Sequence, residues 1–207
     1  MRRSRFVKKM FVFTVERTMT NTYIVLMRGI NVGGKNKVPM AGLRACLQER
    51  GYSNVTTYIA SGNVILESDK SPDEIKADIE TALLESFKLD SELINVLVLS
   101  RNQFQAIIDN KPKGFGEQPE KYHSDVIFLI GVDSAQAMHV FDPREGVDQI
   151  WAGRGVIYSQ RLSSQRTKSR LSKIVGTPVY HSMTIRNWNT TTKLREALEN
   201  MDADQEA

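Results

Sequence analysis

Val55-Thr56-Thr57-Tyr58-Ile59-Ala60-Ser61-Gly62-Asn63-Val64-Ile65-Leu66-Glu67 decides the fold. Val55 to Ile59 and Val64 to Glu67 read as two short strands rich in β-branched residues, and Ala60 to Asn63 reads as the tight turn between them. Downstream, Ser71-Pro72-Asp73-Glu74 starts a helix. Ser71 caps it, Pro72 takes the first position where its missing N–H costs nothing, and Glu74 completes a capping box. Ile75, Ile79, Leu83 and Phe87 then recur on one face. Upstream, Tyr23 to Met27 is an apolar strand, and Arg28 to Lys37 is a polar, glycine-rich loop. Pro39 opens a helix whose inner face is Met40, Leu43, Cys46 and Leu47, and Gly51 closes it. Ile94 to Leu99 is a fourth strand. The order β-α-β-β-α-β is that of the ferredoxin-like split unit.

The second half echoes this order. Ser100 with Gln103 opens a short helix carrying Phe104, Ile107 and Ile108, and a loop rich in Pro, Gly and charge runs from Lys111 to Tyr122. Asp125 to Ile130 is a buried strand, Ser134 to Phe141 a short helix, and Ile150-Trp151 with Val156 to Tyr158 a hairpin around Gly153 to Gly155. A basic helix is expected near Lys168 to Val175. A last helix is expected from about Asn189, with Leu194, Ala197, Leu198 and Met201 inward. The fold class is therefore α+β. A ferredoxin-like subdomain (21–100) packs with a second, smaller α+β subdomain (101–201), between a disordered tail (1–20) and a frayed acidic end (202–207).

The chain has 207 residues and a net charge of +4. Residues 1–18 hold six basic residues and one acid, so the remainder carries a net charge of −1. The basic character is thus mostly a property of the tail and is poor evidence for nucleic-acid binding by the folded body. The body itself is polarised. Residues 21–148 hold 13 basic and 18 acidic residues, whereas Gln149 to Arg195 contains nine basic residues and no acid. Such a block suits an anion, or docks on acids of its own or another chain. Cys46 is the lone cysteine, which excludes an internal disulfide and points to a reducing, cytosolic setting. The histidines, 123, 139 and 181, lack metal-ligand spacing, so neither metal nor cofactor is expected. No apolar run spans a membrane, and the basic start lacks the apolar stretch of a secretory signal.

Three segments are candidates for chemistry. In the first, Gly29 to Lys35 matches the opening of a phosphate-binding loop, but Asn36 replaces the hydroxyl residue that would hold Mg²⁺. A looser anion cradle remains: Gly33 and Gly34 let backbone N–H groups approach an oxyanion, with Arg28, Asn31, Lys35 and Lys37 around it. The second is Tyr58 to Val64, taken as a structural turn at the sheet end opposite the first loop. The third joins Lys168 and Arg170 to Arg186-Asn187-Trp188-Asn189-Thr190. There a cation, a ring and amides gather at a helix start capped by Asn189 or Thr190, an arrangement able to hold a phosphate or stack a base. The alternative is a capped helix anchored by Trp188. Cys46 reads as inert core.

Three stretches together, Tyr23 to Met40, Tyr58 to Val64 and Thr184 to Thr190, resemble the bacterial family catalogued as domain of unknown function 1697. Lys121 to Leu129 resembles it as well, and Ala60 stands where that pattern has a larger polar residue such as Gln. The resemblance begins near Met19 and implies a two-part α+β fold in a bacterial cytosol. It brings no catalytic residues. Three functions compete: a protein binding a phosphorylated or nucleic-acid ligand, a metal-independent enzyme acting on a small anionic metabolite, and a self-associating scaffold. Steep salt dependence marks nucleic acid, and a closed pocket marks a metabolite. A monomer at every salt concentration excludes the scaffold.

Overall fold

The computed structural model describes residues 20–90 and 94–206; all but Thr20 of the expected N-terminal tail lies outside these. Two four-stranded antiparallel sheets form the frame. The first holds β1 (Asn21–Arg28), β2 (Ser53–Tyr58), β3 (Asn63–Ser68) and β4 (Asn95–Ser100) in the order β2-β3-β1-β4. The second holds β5 (Tyr122–Leu129), β6 (Asp148–Gly153), β7 (Val156–Leu162) and β8 (Met183–Asn187) in the order β6-β7-β5-β8. The second sheet therefore repeats the connectivity of the first.

Strand alternation sorts the side chains into three apolar layers. Tyr23, Val25 and Met27 of β1 face α1 (Met40–Glu49) and α2 (Pro72–Ser86), where Leu43, Leu47, Ile75, Ile79 and Leu83 close the first layer. Ile24 and Leu26 face the opposite way. They meet Phe104 and Ile107 of α3 (Arg101–Asp109), Val126 and Phe128 of β5, and Leu194 and Leu198 of α5 (Trp188–Glu206). This middle layer is shared by both sheets. Ile127, Leu129 and Ile157 turn outward onto Ala137 of α4 (Ser134–Met138) and onto Ile174.

The capping boxes behave as the residues dictate. Ser71 Oγ accepts the Glu74 N–H while Glu74 accepts the Ser71 N–H, and Ser100 and Gln103 do the same for α3. Three expectations need correction. The region expected as a basic helix is instead three 3₁₀ segments, Ser163–Lys168, Leu171–Gly176 and Pro178–Ser182. Strand β8 was not foreseen, and it makes Asn187, not Asn189 or Thr190, the cap of α5: Asn187 Oδ1 accepts the Thr190 N–H at 2.7 Å. Cys46 is half-buried, its Sγ 3.4 Å from Ser86 Oγ, so it lies at the edge of the core.

Candidate functional site

The loop after β1 and the β2–β3 turn lie at the same end of the first sheet, contrary to expectation. β1 and β2 are each antiparallel to β3, hence parallel to one another, so both end on the same side. Asn31 joins the two segments: its Nδ2 donates to Val38 O and to Ala60 O, both at 2.8 Å, while its Oδ1 accepts the Val38 N–H. Gly62 packs so closely that an added Cβ would lie 2.8 Å from Met27 Cβ.

The glycine-rich loop is a miniature hairpin. Gly33 and Gly34 both take positive φ, +59° and +78°, as a two-residue primed turn requires, and the Lys35 N–H closes it on Val32 O at 3.0 Å. Asn36 holds its base: its N–H donates to Asp90 Oδ2 and its Nδ2 to Gly29 O, both at 2.7 Å. The N–H groups of Asn31, Lys35 and Asn36 are thus engaged within the protein. The hairpin presents Lys35 and Lys37 to solvent.

Arg186 is an internal tie. It is 7% exposed and all five of its N–H donors have acceptors on three strands and their turns. Nε donates to Asn63 Oδ1. Nη1 donates to Thr184 Oγ1 at 2.9 Å and Ile185 O at 2.8 Å. Nη2 donates to Met27 O and Ser61 O, both at 2.9 Å. Burial pulls its pKa down to about 10, so it remains charged at neutral pH. Arg28 is engaged similarly, with Nε on Met183 O at 2.8 Å and its guanidinium 5.0 Å from the centre of the Tyr180 ring. Both arginines join the sheets, and Arg186 has no donor left for a ligand. Lys168 and Arg170 sit elsewhere. Arg170 bonds Asp142 through Nη1 and Asp148 through its backbone N–H, and Arg144 Nη1 donates to Lys168 O. Part of the acid-free block thus docks on acids of the same chain, with Lys173 also on Asp142 and Arg195 on Asp109.

The remaining predicted residues converge with others that sequence reasoning passed over. Asn187, Trp188 and Asn189 line a cleft of about 400 Å³ together with Tyr122, His123 and Thr192. Thr190 is buried beneath it as part of the capped turn. Trp188 stands edge-on to Phe115, ring centroids 5.2 Å apart, and lies against Gly116. His123 also borders a second, smaller cavity. There its Nε2 lies 3.1 Å from Asp125 Oδ1, and Arg161 Nη2 is 3.9 Å from the other carboxylate oxygen. The signal for this pair was present as His-x-Asp on a strand, a spacing that puts both side chains on one face; a search for metal spacing alone missed it. Burial pushes the Asp125 carboxyl above its ordinary value, against the opposing pull of His123 and Arg161.

That shift has a testable sign. The folded chain holds a proton on Asp125 more tightly than the unfolded chain, so this site's contribution to stability declines as pH rises through the ordinary carboxylate range toward the raised value. Asp125→Asn removes the decline. Urea unfolding of both proteins between pH 4 and 8 is expected to show wild type losing ground to the variant as pH rises; a difference independent of pH would contradict it.

Among the described residues, no group of three or more His, Cys, Asp or Glu side chains could hold a metal ion, and no helix is long and apolar enough to cross a membrane. No curated protein matches the chain. A solved structure, that of a conserved bacterial protein from Streptococcus pneumoniae, is similar at 28% identity and a TM-score of 0.70, covering 84% of this chain and 97% of that one. The family model described as "Protein of unknown function (DUF1697)" matches residues 19–158; the match starts at Met19 and leaves the late Thr184–Thr190 stretch outside. With two-thirds of its length matched, and with the early glycine-loop and Tyr58–Val64 motifs locked together at one sheet end, the chain belongs to the DUF1697 family.

Proposed function

We propose that the protein binds a small phosphorylated molecule in the cleft at the amino end of α5. One observation carries the reading: Tyr122, His123, Asn187, Trp188 and Asn189 line one cleft at the start of a 19-residue helix with no acid in its first turn. The amino end of a helix favours negative charge, and rings with amides beside it suit a planar group. A volume of about 400 Å³ lies in the range of small-molecule sites. A long polyanion is disfavoured, because Arg170, Lys173 and Arg195 are neutralised by acids of the chain. This reading keeps Asn187, Trp188 and Asn189 from the third segment, with Thr190 beneath, and replaces Arg186 by His123 as a hydrogen-bonding partner for the ligand.

The test follows Trp188 fluorescence in a Trp151→Phe background during titration with inorganic phosphate and with a nucleoside monophosphate. A saturable change is expected, weakened about tenfold or more, equivalent to about 1.4 kcal/mol, by His123→Ala or Asn189→Ala. No saturation in the millimolar range counts against the proposal, as does an unaffected His123→Ala. Tight, steeply salt-dependent binding of a single-stranded oligonucleotide instead would return the function to nucleic acid. A second reading, a metal-independent enzyme on the same ligand, draws support from Asp125, which holds His123 as an orienting carboxylate holds a general base. Within this proposal residues 21–100 are read as a ferredoxin-like unit and 101–201 as its smaller counterpart. The strand order β2-β3-β1-β4, with α1 and α2 on one face, supports the former.

A further inference from the structure

We propose that the cavity between α3 and the β6–β7 hairpin is a second ligand site, for a small molecule with an apolar body and one carboxylate. The cavity measures about 720 Å³ and lies where the two halves meet. Its floor is Leu99 of β4, Ile107 of α3, Leu129 of β5 and Tyr158 of β7. Tyr158 is the one floor residue with a side-chain polar group, and its hydroxyl is already committed, donating to Ile107 O at 2.5 Å. A floor whose single side-chain polar atom has already committed its proton anchors water poorly and gains by taking up hydrocarbon or an aromatic ring. The hairpin is seated close over this floor because residue 153 is glycine: an added Cβ there would lie 2.7 Å from the Tyr158 ring.

The rim supplies the polar end. Arg154 stands at the hairpin tip between two glycines, and it has no ion-pair partner among the described residues. None of the residues lining the cavity is acidic. Asn102 of α3 and Asn110, which caps the end of α3, complete the rim with amide groups. A planar guanidinium beside neutral amides matches a carboxylate, whose two oxygens accept in parallel. An apolar floor under a single cation therefore selects an amphipathic monoanion over a neutral hydrocarbon or a polyphosphate. The site is separate from the Trp188 cleft and shares no lining residue with it.

The test uses the full chain and 1-anilinonaphthalene-8-sulfonate, a probe with an apolar body and one anionic group. Saturable one-to-one binding is expected, with displacement by octanoate and at least tenfold weaker displacement by octanamide. Arg154→Glu, at an exposed turn, is expected to weaken octanoate about tenfold or more, and Ala106→Trp to fill the cavity and abolish displacement. Trp188→Phe is expected to change neither, so failure here and failure of the α5 cleft are told apart. Equal displacement by octanamide, none by octanoate in the millimolar range, or an unaffected Arg154→Glu overturns the proposal. So does a dimer that Ala106→Trp converts to monomer, which would make this face a self-association surface. If Ala106→Trp does not fold, Arg154→Glu and the octanoate–octanamide pair still decide.

Discussion

Arg186→Met is expected to destabilise the protein by about 3–5 kcal/mol, the largest loss from any single side chain outside the apolar core. The side chain is 7% exposed, and its guanidinium meets acceptors on β1, on the β2–β3 turn, on β3 and on β8 itself. Methionine fills much of the volume but leaves Asn63 Oδ1 and the Met27 and Ser61 carbonyls without their buried donor. Arg186→Lys keeps the charge with three donors in place of five and is expected to lose about half as much. Because Asn63 is a direct partner, Arg186→Met and Asn63→Ala are expected to be strongly non-additive. Urea denaturation of wild type, the three single variants and the Arg186→Met/Asn63→Ala double variant measures these effects. A value for Arg186→Met within 1 kcal/mol of wild type, near the size of a single ordinary hydrogen bond, would mean that the arginine does not tie the sheets.

Gly116→Ala is the second large effect, and it separates two costs that usually travel together. Gly116 has φ +74°, and an added Cβ would lie 2.4 Å from Cδ1 and Nε1 of Trp188. The left-handed backbone alone costs about 1–2 kcal/mol for alanine, and overpacking adds about 1–3. Gly114 provides the control. Its φ is +84° and an added Cβ meets nothing within 4 Å, so Gly114→Ala is expected to carry the backbone cost alone. The difference between the two variants in thermal unfolding is therefore the clash with the indole. Gly116→Ala is further expected to shift the near-ultraviolet circular dichroism of Trp188 and to weaken the proposed phosphate binding in the cleft. Equal destabilisation by the two substitutions, with unchanged dichroism, would show that Trp188 yields freely and is not a fixed wall.

Much of the frame was legible because local chemistry and packing agree there. Ser71 with Glu74 and Ser100 with Gln103 announced two helices by their caps, and the apolar strands flanking Ala60 to Asn63 announced the first hairpin. Strand β8 was not legible. Its five residues include a buried arginine, and a charged side chain signals solvent unless one knows that β1, β3 and the β2–β3 turn of the other sheet supply acceptors for it. The 3₁₀ segments were read as a helix for the converse reason: basic residues of good helical propensity are there held by Asp142 and Asp148, and that tertiary pairing overrides propensity. In the site, Trp188 and its neighbouring amides were identified from composition, whereas His123 and Asp125 needed a period-two reading of β5. The arginines were the reverse case. Their number suggested a ligand, but Arg186 spends all its donors within the protein and Arg28 ties β1 to Met183 O.

The middle apolar layer has a practical corollary for anyone wishing to divide this protein. A gene fragment ending at Ser100 would encode a sheet whose Ile24, Leu26 and Ile65 lose Phe104, Phe128 and Leu194 at one stroke and meet water instead. Such a fragment should collect in inclusion bodies, and a vector for this chain is better built around the whole.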